Sequence, residues 1–436
     1  MTIARRIADA LMRDRRRLAA ALMIAAFIPI GVYLTRHSSG QPAVSWMNIY
    51  APQDFTSASS LWRFLRDLGV PIPPVIATAE ILDVLHTGNA TFVTGFLYRA
   101  ALVGVYVVAI LLSGPSPPRM AAAFLLSILF LWATTIVHRG NPQTYDIFFP
   151  LFVLLFVALL LLGSKAESRT RTACLLVSSG FFLSMAELAR PFFLFLLPLP
   201  LAYAYFLLRR KGRRSLLWVL APVLLLSGSW HAYILAAHGQ VTWTNHGGFN
   251  LYHVWKDEPE FQVPKLVNEI HAAPLAPGRW ANLNTPEHTE NSRRLARAVA
   301  GYVLRHPVRS AVHVLQRFGE VVVNVPTRTY GYNPQDAILE PYRLLVQICF
   351  ALSLCGAALI LGGMLRDRKR IPSLLGSPDV LLVLVGLATL TVLTVGERYE
   401  EARFLVTVLP FWAAVPLPRL RWISSGSTRA SSSPSS

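Results

Sequence analysis

The chain has 436 residues, 53% of them hydrophobic and only 15% charged, with a mean hydropathy of +0.45. That is too apolar for a pair of water-soluble domains and indicates an integral membrane protein. The formal net charge of +18 does not point to nucleic acid, because Lys and Arg stand in short clusters between apolar runs, where membrane topology places them.

The N-terminal segment is basic, with Arg13 to Arg17 at its end, and the apolar run from Leu18 to Leu34 follows. That run is long for a signal-peptide core and no small-residue cleavage site follows, so it reads as a retained span. Apolar windows of about 17 to 22 residues, the length that crosses the hydrocarbon core, fall at 18–35, 95–113, 120–137, 147–163, 173–189, 192–208, 216–236, 344–365, 379–395 and 404–418. They predict an all-α polytopic protein of about ten spans. With a cytoplasmic N-terminus, Arg119, Lys165 to Arg171, Arg209 to Arg214, Arg366 to Arg370, Arg419 and Arg421 all fall on the inside, so the positive-inside bias places both termini in the cytoplasm.

This orientation divides the chain into an N-terminal membrane module (1–236), an outer region (237–343), C-terminal spans (344–423) and a Ser-rich, disordered tail (424–436). The first outer loop, 36–94, carries Asp54 and two surface helices at Ser57–Leu68 and Val75–Leu85, separated by Pro71, Pro73 and Pro74. In the outer region Leu295, Val299, Tyr302 and Val303, then Val308, Ala311, Leu315, Phe318 and Val322, recur at helical spacing with arginines opposite. The pattern predicts two interfacial helices broken near His306-Pro307. Cys174, Cys349 and Cys355 lie in apolar runs and read as packing residues. The chain lacks inverted repeats, a phosphate-cradling Gly-rich loop, His-Glu-x-x-His and Gly-x-Ser-x-Gly, which argues against a pump, a zinc protease or a serine hydrolase.

Ionisable groups at the rim of a span cost free energy and are functional candidates by default. Several gather on the predicted outer side: Arg99 near the start of span two, Asp146 opening span four, Glu187 and Arg190 after span five, and Glu397, Arg398, Glu400, Glu401 and Arg403 before the last span. Each has a plainer role open to it. An Arg near a span end can snorkel, Asp146 can cap a helix N-terminus, and the Glu397–Arg403 stretch can neutralise itself. Together they describe a site for a charged amphiphile.

With these residues in view, the chain resembles the polytopic glycosyltransferases of the C-type fold, including the protein-mannosyltransferase-like and lipid A aminoarabinose transferase-like enzymes. The landmarks, in order, are Asp54 in the first outer loop, Pro71-Ile-Pro-Pro, Arg99, Asp146, Leu188-Ala-Arg-Pro, Thr242-Trp-Thr-Asn-His-Gly-Gly-Phe-Asn-Leu-Tyr, Tyr302-Val-Leu-Arg-His-Pro and Glu397-Arg-Tyr-Glu-Glu-Ala-Arg-Phe. Two features depart from the family: Gln53 stands where many relatives carry a second acid, and no Arg-Asn pair follows span seven, near Trp230-His-Ala-Tyr-Ile.

The resemblance implies transfer of a sugar from a polyprenyl-phosphate donor to an extracytoplasmic acceptor, which can be a glycan, a lipid or a protein. It makes Asp54 the base that deprotonates the acceptor, by the logic of inverting sugar transfer. Arg99, Arg190, Arg398 and Arg403 become candidates for the donor phosphate, which guanidinium groups bind through paired hydrogen bonds. Asp146 could orient one of these arginines, position the sugar or help bind a divalent cation. Asn245, Asn250, Tyr252 and Glu397 could line the sugar or acceptor side. Competing readings are an O-antigen polymerase or ligase and a non-enzymatic flippase of lipid-linked sugars, the latter expecting charges near mid-membrane in interrupted helices.

Overall fold

The computed structural model describes residues 3–37, 92–114, 116–136, 144–190, 192–239, 247–264, 285–323, 339–366, 371–396 and 401–416. All regular structure among them is helical. The helices are α1 (Ile3–His37), α2 (Phe92–Leu112), α3 (Pro117–Ile136), α4 (Thr144–Lys165), α5 (Arg169–Ala189), the single turn α6 (Phe193–Leu196), α7 (Pro198–Leu208), α8 (Arg213–Val223), α9 (Ser229–His238), α10 (Gly247–Trp255), α11 (Pro286–Arg305), α12 (Pro307–Val323), α13 (Leu339–Arg366), the short α14 (Ile371–Leu375), α15 (Pro378–Gly396) and α16 (Glu401–Ala414).

Among the described residues seven helical segments are long and apolar enough to cross a membrane: Arg17–Thr35, Pro117–Thr135, Asp146–Lys165, Arg169–Ala189, Phe193–Lys211, Arg213–Ala237 and Pro341–Arg366. The chain is therefore a membrane protein with an all-helical body. Three shorter apolar helices, Phe96–Leu112, Pro378–Val392 and Leu405–Ala414, pack among them. The window read as one span at 192–208 falls on Phe193–Lys211; its first turn, α6, is set off at Leu197, which stays helical at φ −50° and ψ −34°, before Pro198 opens α7. A proline at the first helical position has no amide hydrogen to lose and its fixed φ suits a helix start.

The bundle centres on α4 and α16. α4 packs along α5 and touches α2, while α16 touches α2, α3, α4 and α15. Every described side chain of α16 is buried, whereas α1 and α13 turn large apolar residues such as Leu22 and Leu365 outward. In lipid an apolar exterior is satisfied without burial, so close packing and interhelical hydrogen bonds, rather than hydrophobicity, must specify the neighbours. Gly180 of α5 shows this: a Cβ there would collide with the Val219 carbonyl of α8, so only glycine permits the approach. One residue earlier, the Ser179 hydroxyl donates to the Phe156 carbonyl of α4 at 3.0 Å, tying α5 to its other neighbour.

Polar groups close the bundle at both ends. At the end where α3 and α15 begin, Arg119 donates to Asp379 Oδ2 at 3.0 Å, with both side chains buried. Asp379 suits the helix N-terminus it occupies and Arg119 does not, so the pair offsets an unfavourable charge–dipole contact. Lys211 Nζ reaches the Ala166 and Gly163 carbonyls, at 2.7 and 3.2 Å, and satisfies acceptors left over where α4 ends.

At the other end α10, α11 and α12 form a layer that joins the bundle where α10 and α12 touch α15 and α12 touches α13. α11 and α12 meet at His306, whose φ of −126° and ψ of 57° leave the helix just before Pro307. The apolar side of α11 is used within this layer, where Val299 and Tyr302 pack on Val254 and Trp255 of α10. Gly248 lets α10 approach α11: its amide donates to Ser292 Oγ at 3.0 Å, and a Cβ would overlap the Ser292 carbonyl.

Candidate functional site

The strongest concentration of buried charge lies where α4 begins and α5 ends. Asp146 stands in the first turn of α4 and is 0% exposed; Arg190 caps α5 and is 4% exposed. Their side chains form an ion pair across the two helices. Arg190 has left the helix, with φ −141° and ψ 108°, while its amide still donates to the carbonyls of Ala186 and Glu187. A residue preceding proline is steered out of the α region by the ring behind it, and position 191 is proline. The sequence Arg-Pro thus turns a helix-terminal arginine back toward the neighbouring helix start.

Beneath this pair the surroundings are apolar. Phe149, one turn on from Asp146, is fully buried and meets Phe193, Phe192 and Phe411 edge-on at ring distances of 5.0, 5.6 and 6.2 Å. An aromatic floor keeps the local dielectric low. Coulomb attraction is strong there, and loss of either charge is costly.

One turn before Arg190 lies Glu187, also 0% exposed. Its Oε2 accepts a hydrogen bond from Ser227 Oγ at 2.7 Å, and its Oε1 lies 2.9 Å from His231 Nε2. An imidazole nitrogen facing a carboxylate carries the proton, so Nε2 donates. Ser227 lies in a π-helical segment, Leu224–Gly228, between α8 and α9. The interior Pro222 of α8 supplies no amide hydrogen, and such bulges re-aim side chains, frequently at functional sites. Ser227 and His231 are four residues apart, on one side of the continuing helix, facing the α5 terminus. The result is a buried ion pair, Asp146–Arg190, beside a polar trio, Glu187 with Ser227 and His231, at one rim of the bundle.

The other predicted site residues divide into three groups. Arg99 is exposed on α2, outside this cluster. Asn250 and Tyr252 lie half-buried on α10, where Tyr252 packs against Phe261 at 6.2 Å. Asp54, Asn245, Glu397 and Arg398 lie outside the described residues, as does the side chain of Arg403 in the first turn of α16. The partners of Glu187 were missed by sequence reasoning, although a signal existed: Ser227 and His231 are polar residues at helical spacing within the apolar run 216–236. Among the described residues no three His, Cys, Asp or Glu side chains are grouped as metal ligands.

The layer of α10 to α12 holds a further polar hub. Glu258 accepts from the Tyr302 hydroxyl at 3.1 Å and faces Arg309 at 3.3 Å and His313 at 2.5 Å. Burial, followed by the bond to Glu258, holds the Tyr302 phenol above its ordinary pKa. His288 stacks on Phe249 at 4.6 Å, and burial holds its imidazole below the ordinary value of 6.5. These groups brace the layer over the bundle.

Comparison with family models, with curated proteins and with solved structures returns no match for this chain.

Proposed function

We propose that the chain is a ten-span membrane glycosyltransferase of the C-type fold, which moves a sugar from a polyprenyl-phosphate donor to an acceptor on the outer face by inverting displacement. The observation that supports it most is the buried Asp146–Arg190 pair: a guanidinium fixed by a carboxylate at the rim of a membrane bundle, above an apolar floor. A guanidinium held in place by a carboxylate is a fixed positive charge of the kind that suits phosphate recognition. Of the roles open to Asp146, orienting Arg190 fits this contact directly. On this reading the three shorter apolar helices are counted with the seven longer segments as spans, and the positive-inside bias of the basic clusters supports cytoplasmic termini.

In the proposed reaction an acceptor oxygen forms a bond to the anomeric carbon as the bond from that carbon to the phosphate oxygen breaks. The bonding electrons leave with the polyprenyl phosphate, and the acceptor proton passes to Asp54. Arg190 stabilises the charge developing on the leaving phosphate, with Arg99, Arg398 and Arg403 as further cations from other segments. A divalent cation bound with the donor would supply additional charge for the same phosphate.

The test is donor retention. Native mass spectrometry of the purified chain should show polyprenyl phosphate bound to the wild type and lost from Arg190→Met. Equal retention by both would remove Arg190 from the donor site. A second reading draws on a different observation. The π segment that brings Ser227, with His231, against the buried Glu187 places polar groups within a candidate span, which favours the alternative of a lipid-linked-sugar flippase. A flippase would move labelled lipid across liposomes without producing labelled acceptor.

A further inference from the structure

The outward side of α11 and α12 changes character along its length. On α11 it presents Arg293 and Arg297, both exposed, beside the Glu290–Arg294 pair. Ala300 follows, and then a run of large exposed apolar residues, Leu304 at 80%, Val308 at 77%, Val312 at 46% and Leu315 at 69%, with Arg305 and Gln316 exposed at its margins. Val308, Val312 and Leu315 follow at spacings of four and three and so share one side of α12. The inward side carries polar groups among its apolar contacts. Ser310 and Arg317 are buried, and His313 faces Trp255 and Glu258. A helix bordering water turns its apolar stripe inward and its charges outward. α12 instead presents large apolar residues outward as well as inward, where Val314, Phe318 and Val321 pack on protein, as a helix does whose outer side meets hydrocarbon.

The packing of α12 gives the depth. Phe318 meets Phe350 of α13 at 6.0 Å, and Val321 belongs to the main core of the bundle. Phe350 lies nine residues into the spanning segment Pro341–Arg366, about 14 Å along the helix at 1.5 Å per residue. The exposed stripe therefore starts within a turn of a residue that sits beside the interior of a membrane span. α11 differs, because its apolar side is already covered by α10.

We propose that α12 is immersed in the bilayer along its Val308–Val312–Leu315 side, and that Arg293 and Arg297 of α11 meet lipid phosphates where the ridge leaves the membrane. The occupant of the stripe is phospholipid. The acyl chains take the apolar side, and anionic headgroups take the arginines, whose planar forks match phosphate oxygens. The inference concerns the chain's seating in the membrane and holds whatever reaction it carries out.

The test uses the full chain with Cys174, Cys349 and Cys355 replaced by alanine, reconstituted in vesicles of phosphatidylcholine and phosphatidylglycerol. Single cysteines at Val308→Cys, Leu315→Cys and Ala300→Cys carry an environment-sensitive fluorophore. At 308 and 315 the emission should shift to the blue, with quenching by acyl-chain nitroxide lipid and loss of quenching by aqueous iodide. At 300 a headgroup nitroxide should quench more strongly than the acyl-chain one. Iodide quenching at 308 and 315 without acyl-chain quenching would overturn the proposal. So would shielding from both quenchers, which would mean that another segment or a second copy of the chain covers the stripe. Size-exclusion profiles matching the parent protein confirm that the labelled variants are folded.

Discussion

Removing one member of the Asp146–Arg190 pair should do more harm than removing both. Asp146→Ala leaves a guanidinium that is only 4% exposed, above the aromatic floor of Phe149, Phe193 and Phe411, without the carboxylate that compensates it. Breaking a buried pair in this way costs about 3–5 kcal/mol. Arg190→Met strands Asp146 by the same reasoning. The double variant Asp146→Leu/Arg190→Met removes both charges and both desolvation costs, and such replacements are often neutral or stabilising by about 1–4 kcal/mol. Thermal unfolding of the detergent-solubilised protein, followed by tryptophan fluorescence, should rank the double variant at or above either single variant. With each single variant losing about 3 kcal/mol or more and the double variant near neutral, the coupling energy from the cycle should be about 6 kcal/mol or more in magnitude. A double variant as unstable as the sum of the singles would refute the reasoning, because the two residues would then be acting independently. Donor retention separates stability from function: the double variant should regain stability yet still fail to hold polyprenyl phosphate.

Gly180→Ala should destabilise the membrane bundle despite favouring the helix. The propensity gain is about 1 kcal/mol, while forcing a methyl against the Val219 carbonyl costs about 1–3 kcal/mol; a raised melting temperature would contradict the close α5–α8 approach. The layer of α10 to α12 should weaken in acid through His288. Its imidazole is held below 6.5 when folded, so the unfolded chain binds the proton more readily. Stability is complete above that value and is lost as pH falls through the unfolded and then the folded pKa. Exchange protection of α10 and α11, corrected for the intrinsic pH dependence of amide exchange, should therefore fall as pH drops from about 8 to about 5, and His288→Phe should flatten the response. A pH response unchanged in that variant would assign the effect elsewhere.

The positions of the apolar helices were legible because hydrophobic run length is a direct reading of bilayer thickness. The window 344–365 lies inside α13, and 147–163 lies inside α4. The break at His306-Pro307 was legible for a local reason, since proline restricts the residue before it. Pairing was not legible. Asp146 and Arg190 each stand out as charges in apolar surroundings, but nothing local states that a residue in the first turn of α4 meets the cap of α5. Arg119 shows the limit more sharply. As a loop charge it supports an orientation, yet in the fold it is buried against Asp379, so its position also answers a packing need. Ser227 was hidden for another reason: the π segment re-aims it, and helical periodicity read at 3.6 residues per turn does not register that shift. The apolar stripe of α12 was visible in the sequence, but whether it faced protein or lipid depended on what α10 had already covered.

The most direct measurement is sugar transfer by the purified chain in liposomes supplied with radiolabelled polyprenyl-phosphate sugars and a cell-envelope acceptor fraction. The account predicts that label moves to the acceptor and polyprenyl phosphate is released. Asp54→Asn should lower the rate about 100-fold or more while remaining in the membrane, the scale of losing a general base. Transfer at the wild-type rate by Asp54→Asn would remove Asp54 as the base. Movement of label across the bilayer, with none on the acceptor, would contradict the glycosyltransferase reading itself.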